Sequence, residues 1–204
     1  MKTKEEQIKI PKKVENFLGK PAVAKAMAGK AGIKYELMGH RTVYTAFDKA
    51  ATLKVKPDII AKVLTIKIGK DLAMVVIGGD KNLNIEKLQK LVKTEKIGFA
   101  KEKIIAEAFK GIKPGAIPPF VDLWQMKVIC DKKLLESPKI ILSAGTYKAS
   151  LSVTPAVFKK LNPEMIIGNF SSPRPKPKKT NKPKPAKKKS VTKNLKTKAT
   201  KKRQ

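Results

Sequence analysis

The sequence offers few side chains for nucleophilic or metal-assisted chemistry. His40 is the only histidine and Cys130 the only cysteine among its 204 residues. One histidine and one cysteine cannot supply the four nitrogen and sulfur ligands of a structural zinc site. A catalytic triad would need His40 as its base, and nothing in the sequence marks a partner nucleophile. A lone histidine is more often structural, so a structural role is expected for His40 and a catalytic base is the alternative.

A second candidate for chemistry is the segment from Gly111 to Phe120. It contains three prolines and two glycines in ten residues, which restrict its backbone to a narrow path. Loops of this kind often line pockets with backbone N–H and C=O groups. A purely structural crossing loop would have the same composition, so the residues alone leave both interpretations open.

Helices and strands must position these residues. Thr45 and Asp48 are spaced as in a capping box, which predicts the start of a helix. Strands are predicted at 63–68 and 72–77, with turn-forming residues at Gly69-Lys70-Asp71 between them. The second of these strands is apolar on both faces, which favours a central position in a sheet.

The other predicted elements alternate irregularly. Asn84 is expected to cap an amphipathic helix that carries Ile85 and Leu88 on one face. The remaining predictions are helices at 14–18, 22–30, 101–110 and 155–161, a short helix opened by Pro57, and strands at 34–38, 96–100, 127–130, 139–143 and 151–153. Without a regular βαβ period, this order predicts an α/β fold of the mixed α+β kind, a single compact domain around one mixed sheet.

Charge is the dominant feature of the composition. Lys and Arg outnumber Asp and Glu by 47 to 16, and the net charge is +31. From Ser171 onward the chain is rich in Pro and Lys, has no acidic residue and is predicted to be a disordered tail. A polyanion, RNA before DNA, is the expected partner, although lysines retained for solubility are the alternative for the body. Candidate nucleic-acid contacts in the tail are Arg174, Lys176, Lys178, Lys179, Lys187, Lys188 and Lys189.

Location is predicted from what the sequence lacks. A single cysteine suits a reducing compartment. Residues 1–10 lack the apolar stretch of a signal peptide, and no apolar run approaches the length of a membrane span. A cytoplasmic protein without a membrane partner is expected.

Several blocks occur in the order in which one family has them. They are Tyr35–His40, Val43–Ala46 with Ala50 and Ala51, Ile59–Leu64, Asp80 with Leu83 and Leu88, Gly111–Phe120, and Asp131 with Ala144 and Gly145. The block 111–120 is close to the Gly-x-x-Pro-Gly-x-x-x-Pro-Phe loop of YbaK-type, prolyl-tRNA-synthetase-associated editing domains, which are aminoacyl-tRNA deacylases. The sequence resembles this family over roughly residues 30 to 162.

The resemblance implies a role for individual residues. Lys62 is expected to contact the aminoacylated end of tRNA and to be the catalytic residue, with no metal or cofactor. Substrate-binding positions implied by the same motifs are His40, Thr45, Asp80, Gly111, Pro114, Gly115 and Gly145. The implied domains are a polar extension at 1–20, an editing domain at 21–170 and the tail at 171–204.

The expected activity is removal of the wrong amino acid from tRNA. A pocket built for proline cannot strongly exclude alanine or cysteine, because a missing methylene is worth only about 1–3 kcal/mol, so a second, hydrolytic site is needed. The resemblance therefore implies Ala-tRNA(Pro) or Cys-tRNA(Pro) as the substrate and prolyl-tRNA synthetase as a candidate partner, and this energetic argument agrees with it. The alternative is a non-catalytic RNA- or DNA-binding protein that uses the editing fold as a scaffold.

Overall fold

A computed structural model describes residues 33–109 and 112–174. The helices predicted at 14–18 and 22–30, the loop residue Gly111 and the tail lysines from Lys176 onward lie outside the described residues. Within the described ranges, every helix is too short or too polar to cross a bilayer.

The order of elements follows the predicted order closely. In chain order the described residues form β1 (Glu36–Gly39), α1 (Ala46–Leu53), a 3-10 helix (Pro57–Ile59), β2 (Ala61–Ile68), β3 (Asp71–Gly78), β4 (Lys81–Leu83), α2 (Ile85–Val92), β5 (Ile97–Phe99), α3 (Glu102–Ala108), α4 (Val121–Trp124), β6 (Lys127–Asp131), α5 (Lys132–Leu135), β7 (Ile140–Ser143), β8 (Ala149–Val153), α6 (Pro155–Leu161), β9 (Ile166–Gly168) and β10 (Ser171–Pro173).

The central sheet has the order β5-β2-β3-β6-β9. β3 pairs antiparallel with β2 and parallel with β6, so the sheet is mixed, as predicted. Successive residues of β3 point to opposite faces, and both faces are buried: Met74 and Val76 belong to one apolar core, and Val75 and Ile77 to another. The central position predicted for this strand is confirmed.

A second, three-stranded antiparallel sheet, β1-β8-β7, packs on one face of the central sheet. Leu142 of β7 and Leu151 of β8 share a core with Met74 and Val76 of β3. A parallel bridge between Ile60 and Ile141 links the start of β2 to β7. The fold is therefore mixed α+β, with the second sheet added to the predicted one.

Helix α1 begins where the sequence predicts it. Thr45 Oγ1 accepts a hydrogen bond from Asp48 N, and Asn84 Oδ1 caps α2 by accepting from Lys87 N. Each cap satisfies an N–H group that has no partner inside the helix. The α1 cap is important for the site because it fixes the direction in which this helix presents its side chains.

The predicted start of the tail at Ser171 is wrong by four residues. Ser171–Pro173 form β10, which pairs antiparallel with β4. The buried carboxylate of Asp131 accepts hydrogen bonds from the backbone N–H groups of Phe170 and Ser171, and Phe170 is fully buried. The local composition is polar and Pro-rich, so only this distant carboxylate and the exposed edge of β4 explain the strand.

Candidate active site

A cavity of about 340 Å³ opens between α1, the start of β2 and the end of β3. The loop at Pro114–Gly115 and the residue after β10, Arg174, complete its wall. Its volume is near the lower end of the range for small-molecule sites. The lining residues are Val43, Tyr44, Thr45, Ala46, Phe47, Lys49, Ile60, Ala61, Lys62, Val63, Leu64, Gly79, Pro114, Gly115, Ser143 and Arg174.

Lys62 lies on β2 and lines this cavity, half-buried. Its amine donates a hydrogen bond to the carbonyl of Lys81. Burial and then the positive charge of Arg174 lower the pKa of the Lys62 amine, and the charge of Asp80 opposes them. The structure thus places a partly desolvated lysine amine in the cavity, although its catalytic role stays a prediction.

Asp80 lies next to the cavity without lining it. Its Oδ2 is 2.5 Å from the amine of Lys81, and its Oδ1 is buried without a hydrogen-bond partner among the described residues. Its contribution to the site is the negative charge that raises the pKa of Lys62. Direct substrate binding by Asp80 therefore finds no support in the geometry and stays a prediction.

A second lysine in the cavity was missed by the sequence analysis. Lys49 of α1 is only 6% exposed, and its amine donates to Ser143 Oγ at 2.9 Å. Burial lowers the pKa of Lys49 to about 8. A signal was present: Lys49 shares the buried side of the helix with Ala50, and a lysine on an apolar helix face is unusual.

The Pro114–Gly115 loop is held from two sides. The Ser143 hydroxyl donates to the Gly115 carbonyl at 2.8 Å, and the Tyr147 hydroxyl donates to the Pro114 carbonyl at 2.8 Å. Gly115 has φ +84°, a left-handed conformation that glycine adopts without strain. Pro114 and Gly115 of the predicted loop thus form part of the cavity wall, and Gly111 lies outside the described residues.

Gly145 is hydrogen-bonded to the segment that follows Gly115. Its N–H donates to the carbonyl of Ala116 at 2.9 Å, and Gly145 is not among the residues that line the cavity. The structure therefore gives it a place in the scaffold of the loop. A direct approach of its backbone to substrate remains a prediction.

Thr45 and His40 differ in their relation to the cavity. Thr45 lines it, but its hydroxyl is engaged with Asp48, accepting from the backbone N and donating to Oδ2 at 2.7 Å. His40 does not line it; its ring nitrogens lie 2.8 Å from Ser150 Oγ and 2.8 Å from the Arg41 carbonyl. Burial lowers the pKa of His40. This environment suits the structural interpretation of the histidine.

Exposed aromatic residues and an arginine form the rim of the cavity. Tyr44 is 70% exposed and Phe47 is 42% exposed. The guanidinium of Arg174 lies over the Phe47 ring, 5.1 Å from its centroid. Arg174, predicted as a tail residue, is thus part of the cavity.

The charge of the cavity is one-sided. In the part of the chain that the structure describes, its lining contains the cations Lys49, Lys62 and Arg174 and no Asp or Glu. Among residues 33–109 and 112–174, no group of three or more His, Cys, Asp or Glu side chains is placed to hold a metal ion. The site therefore offers amines, a guanidinium and backbone groups to a ligand that carries negative or partial negative charge.

The protein is an α+β domain with the small cationic cavity described above, and Pro114 and Gly115 form part of the wall of that cavity. The family model of the aminoacyl-tRNA editing domain matches residues 40–161. The chain therefore belongs to this family, as the resemblance implied. The match ends before β9 and β10, so Arg174 is outside it.

Solved structures support the fold. A protein described as hypothetical superposes with a TM-score of 0.63 at 24% identity, over 69% of this chain and 93% of that one. A candidate trans-editing enzyme for prolyl-tRNA synthetase superposes with a TM-score of 0.63 at 19% identity, over 75% of this chain and 98% of that one. No curated protein matches the sequence. At these identities the structural similarity concerns the fold.

Proposed function

We propose that the protein is a trans-editing aminoacyl-tRNA deacylase that removes alanine or cysteine from tRNA(Pro). The observation that supports this most directly is the position of Lys62, half-buried in the wall of a small cavity that Pro114 and Gly115 also line. Membership of the editing-domain family supports deacylation in general. The similarity of fold to a candidate trans-editing enzyme for prolyl-tRNA synthetase supports the choice of tRNA.

The reaction requires no protein nucleophile. An aminoacyl ester is already activated, so a positioned water attacks its carbonyl carbon and the bond to the ribose oxygen breaks. The ribose oxygen takes up a proton, and the amino acid leaves as a carboxylate. Lys62 lines the cavity, and in this proposal its ammonium group stabilises the negative charge that develops on the carbonyl oxygen. The backbone groups of the Pro114–Gly115 wall position the aminoacyl group.

The size of the cavity agrees with a small amino acid. About 340 Å³ must hold the aminoacyl group and the adjoining ribose. The lining residues Val43, Ala46 and Val63 present apolar surface to a small side chain. A cytoplasmic location, where tRNA is charged, and an association with prolyl-tRNA synthetase belong to the same proposal.

The test is amino-acid release from Ala-tRNA(Pro) and Cys-tRNA(Pro), with Pro-tRNA(Pro) as the correctly charged control. Lys62→Ala is expected to lower the rate by about 100-fold or more, a loss typical of removing one charge-stabilising group. Lys67→Ala removes an exposed lysine from the same strand and is expected to leave the rate unchanged. If the wild type hydrolyses none of the three esters while tRNA still binds, the choice of substrate is wrong and other mischarged tRNAs are tested; if those survive too, the protein is a non-catalytic RNA-binding member of the family.

A further inference from the structure

We propose that Arg174, stacked on Phe47, binds the phosphate group on the 5′ side of the terminal nucleotide of the aminoacylated RNA. The inference rests on the proposed function and adds a specific RNA contact to it. It assigns this contact to a part of the chain that lies beyond the residues matched by the family model.

The backbone of Arg174 is fixed by several contacts. β10, which precedes it, pairs with β4, and the buried carboxylate of Asp131 holds the N–H groups of Phe170 and Ser171 at 3.0 and 2.8 Å. The N–H of Arg174 itself donates to the carbonyl of Asp80 at 3.3 Å. The arginine is therefore presented by an ordered strand.

The guanidinium of Arg174 lies over an aromatic ring. It lies 5.1 Å from the centre of the Phe47 ring, an arrangement that stabilises a cation on the ring face. Among residues 33–109 and 112–174, no carboxylate forms a salt bridge with it. Its N–H donors form a planar fork that matches two oxygens of a phosphate, and the exposed side chain leaves them accessible.

The charges in the cavity favour an anion beside Arg174. Its positive charge lowers the pKa of Lys62, so the two cations are close enough to repel each other. An anion bound next to them relieves that repulsion. In an aminoacylated RNA the amino-acid carboxyl is esterified and uncharged, and the amino group is cationic. The negative charge nearest to the ester is the phosphate of the terminal nucleotide, which identifies the ligand.

The experiment compares two minimal substrates with the full-length protein in 0.2 M salt. Alanyl-adenosine lacks the phosphate, and alanyl-CpA contains it. Arg174→Ala is expected to lower kcat/KM for alanyl-CpA by about 10- to 100-fold more than for alanyl-adenosine, the range for removing hydrogen bonds to a charged group. Arg174→Lys should retain part of the activity, and Lys67→Ala serves as the control for loss of one positive charge. Equal losses on both substrates, or no loss on either, would overturn the inference.

A binding measurement separates this inference from the proposed function. An uncharged ACCA oligonucleotide is compared with the same oligonucleotide carrying a neutral methylphosphonate at the last linkage. The wild type should bind the first more tightly by about 10-fold or more, and Arg174→Ala should bind both alike. Contributions from the rest of the oligonucleotide cancel in the ratio of the two dissociation constants, which is used as the readout. If neither ester is hydrolysed but the ratio behaves as expected, deacylation is wrong and the phosphate contact stands; a ratio near one in the wild type overturns the contact itself.

Discussion

The amine of Lys49 donates a hydrogen bond to the hydroxyl of Ser143 at 2.9 Å, across 94 positions of sequence. That hydroxyl donates in turn to the carbonyl of Gly115 at 2.8 Å. A buried lysine on α1 is thereby linked, through Ser143, to the Pro114–Gly115 loop in the wall of the same cavity. Burial lowers the pKa of Lys49 to about 8, so the amine in this hydrogen bond changes from charged to neutral as the pH rises through that value.

Replacing Lys49 by methionine tests this burial through the pH dependence of stability. The lysine has a pKa near 10.5 when unfolded and about 8 when folded, so between these values only the unfolded chain holds the proton. Wild-type stability therefore rises with pH in this window, because the penalty for burying the charge is present in full below pH 8. The stability of Lys49→Met relative to wild type should fall by roughly 2 to 3 kcal/mol from pH 7 to pH 10. Urea denaturation of both proteins measures it, and parallel pH profiles would contradict it.

Gly79 is expected to tolerate no side chain. A Cβ at this position would lie 2.7 Å from the Cβ of Ala46 and 2.7 Å from the carbonyl oxygen of Pro57. Gly79→Ala should therefore destabilise the protein by about 1–3 kcal/mol through overpacking at the cavity wall. At Gly98 an added Cβ has no heavy atom within 4 Å, so Gly98→Ala is the matched control. Thermal unfolding should give a clearly lower Tm for Gly79→Ala than for Gly98→Ala. Equal Tm values would show that the neighbours of Gly79 move aside at no cost and would contradict the prediction.

Asp131 is expected to be essential for docking β10. Its carboxylate accepts three N–H groups, those of Lys133, Phe170 and Ser171, and the residue is 1% exposed. Asp131→Asn replaces one accepting oxygen by an NH₂ group, which would face backbone N–H donors. The substitution should lower the free energy of unfolding by roughly 2 to 4 kcal/mol. Asp71→Asn, at the exposed turn between β2 and β3, is the control. If the two variants unfold at the same urea concentration, the carboxylate does not hold the strand.

Two truncations that end four residues apart separate the tail from the site. A protein ending at Arg174 should show a weaker salt dependence of RNA binding, since the slope of log K against log salt changes by about 0.7 for each single-strand phosphate that the protein no longer neutralises. Its hydrolysis of a minimal alanyl-CpA substrate should be unchanged. A protein ending at Phe170 should lose hydrolysis as well, because β10 and Arg174 are absent. Salt titrations and rates on both proteins measure this, and equal hydrolysis by the two would contradict a role for β10.

Local signals in the sequence were sufficient for most elements. The Thr45 and Asn84 caps, the alternation in β3 and the turn before Asp71 all depend on neighbouring residues, and the structure has these elements where they were predicted. The short elements β4, β9, α4 and α5 were missed, since three or four residues carry too little periodicity to be recognised.

The site was only partly accessible from the sequence. The motif resemblance identified Lys62, Pro114 and Gly115, and all three line the cavity. It gave no reason to select Lys49 or Ser143, whose roles depend on a contact between a helix and a strand far apart in the chain.

Residue types and their local spacing were enough to predict the fold class, the family and the excess of positive charge, because caps, alternation, motifs and composition depend on nothing else. Which of the many basic residues meet in one cavity follows from the packing of elements that are far apart in the chain. Arg174 belongs to a polar, Pro-rich stretch and reaches Phe47 only because a buried carboxylate and an open strand edge hold β10. Such long-range pairings form when the core packs, and no local pattern encodes them.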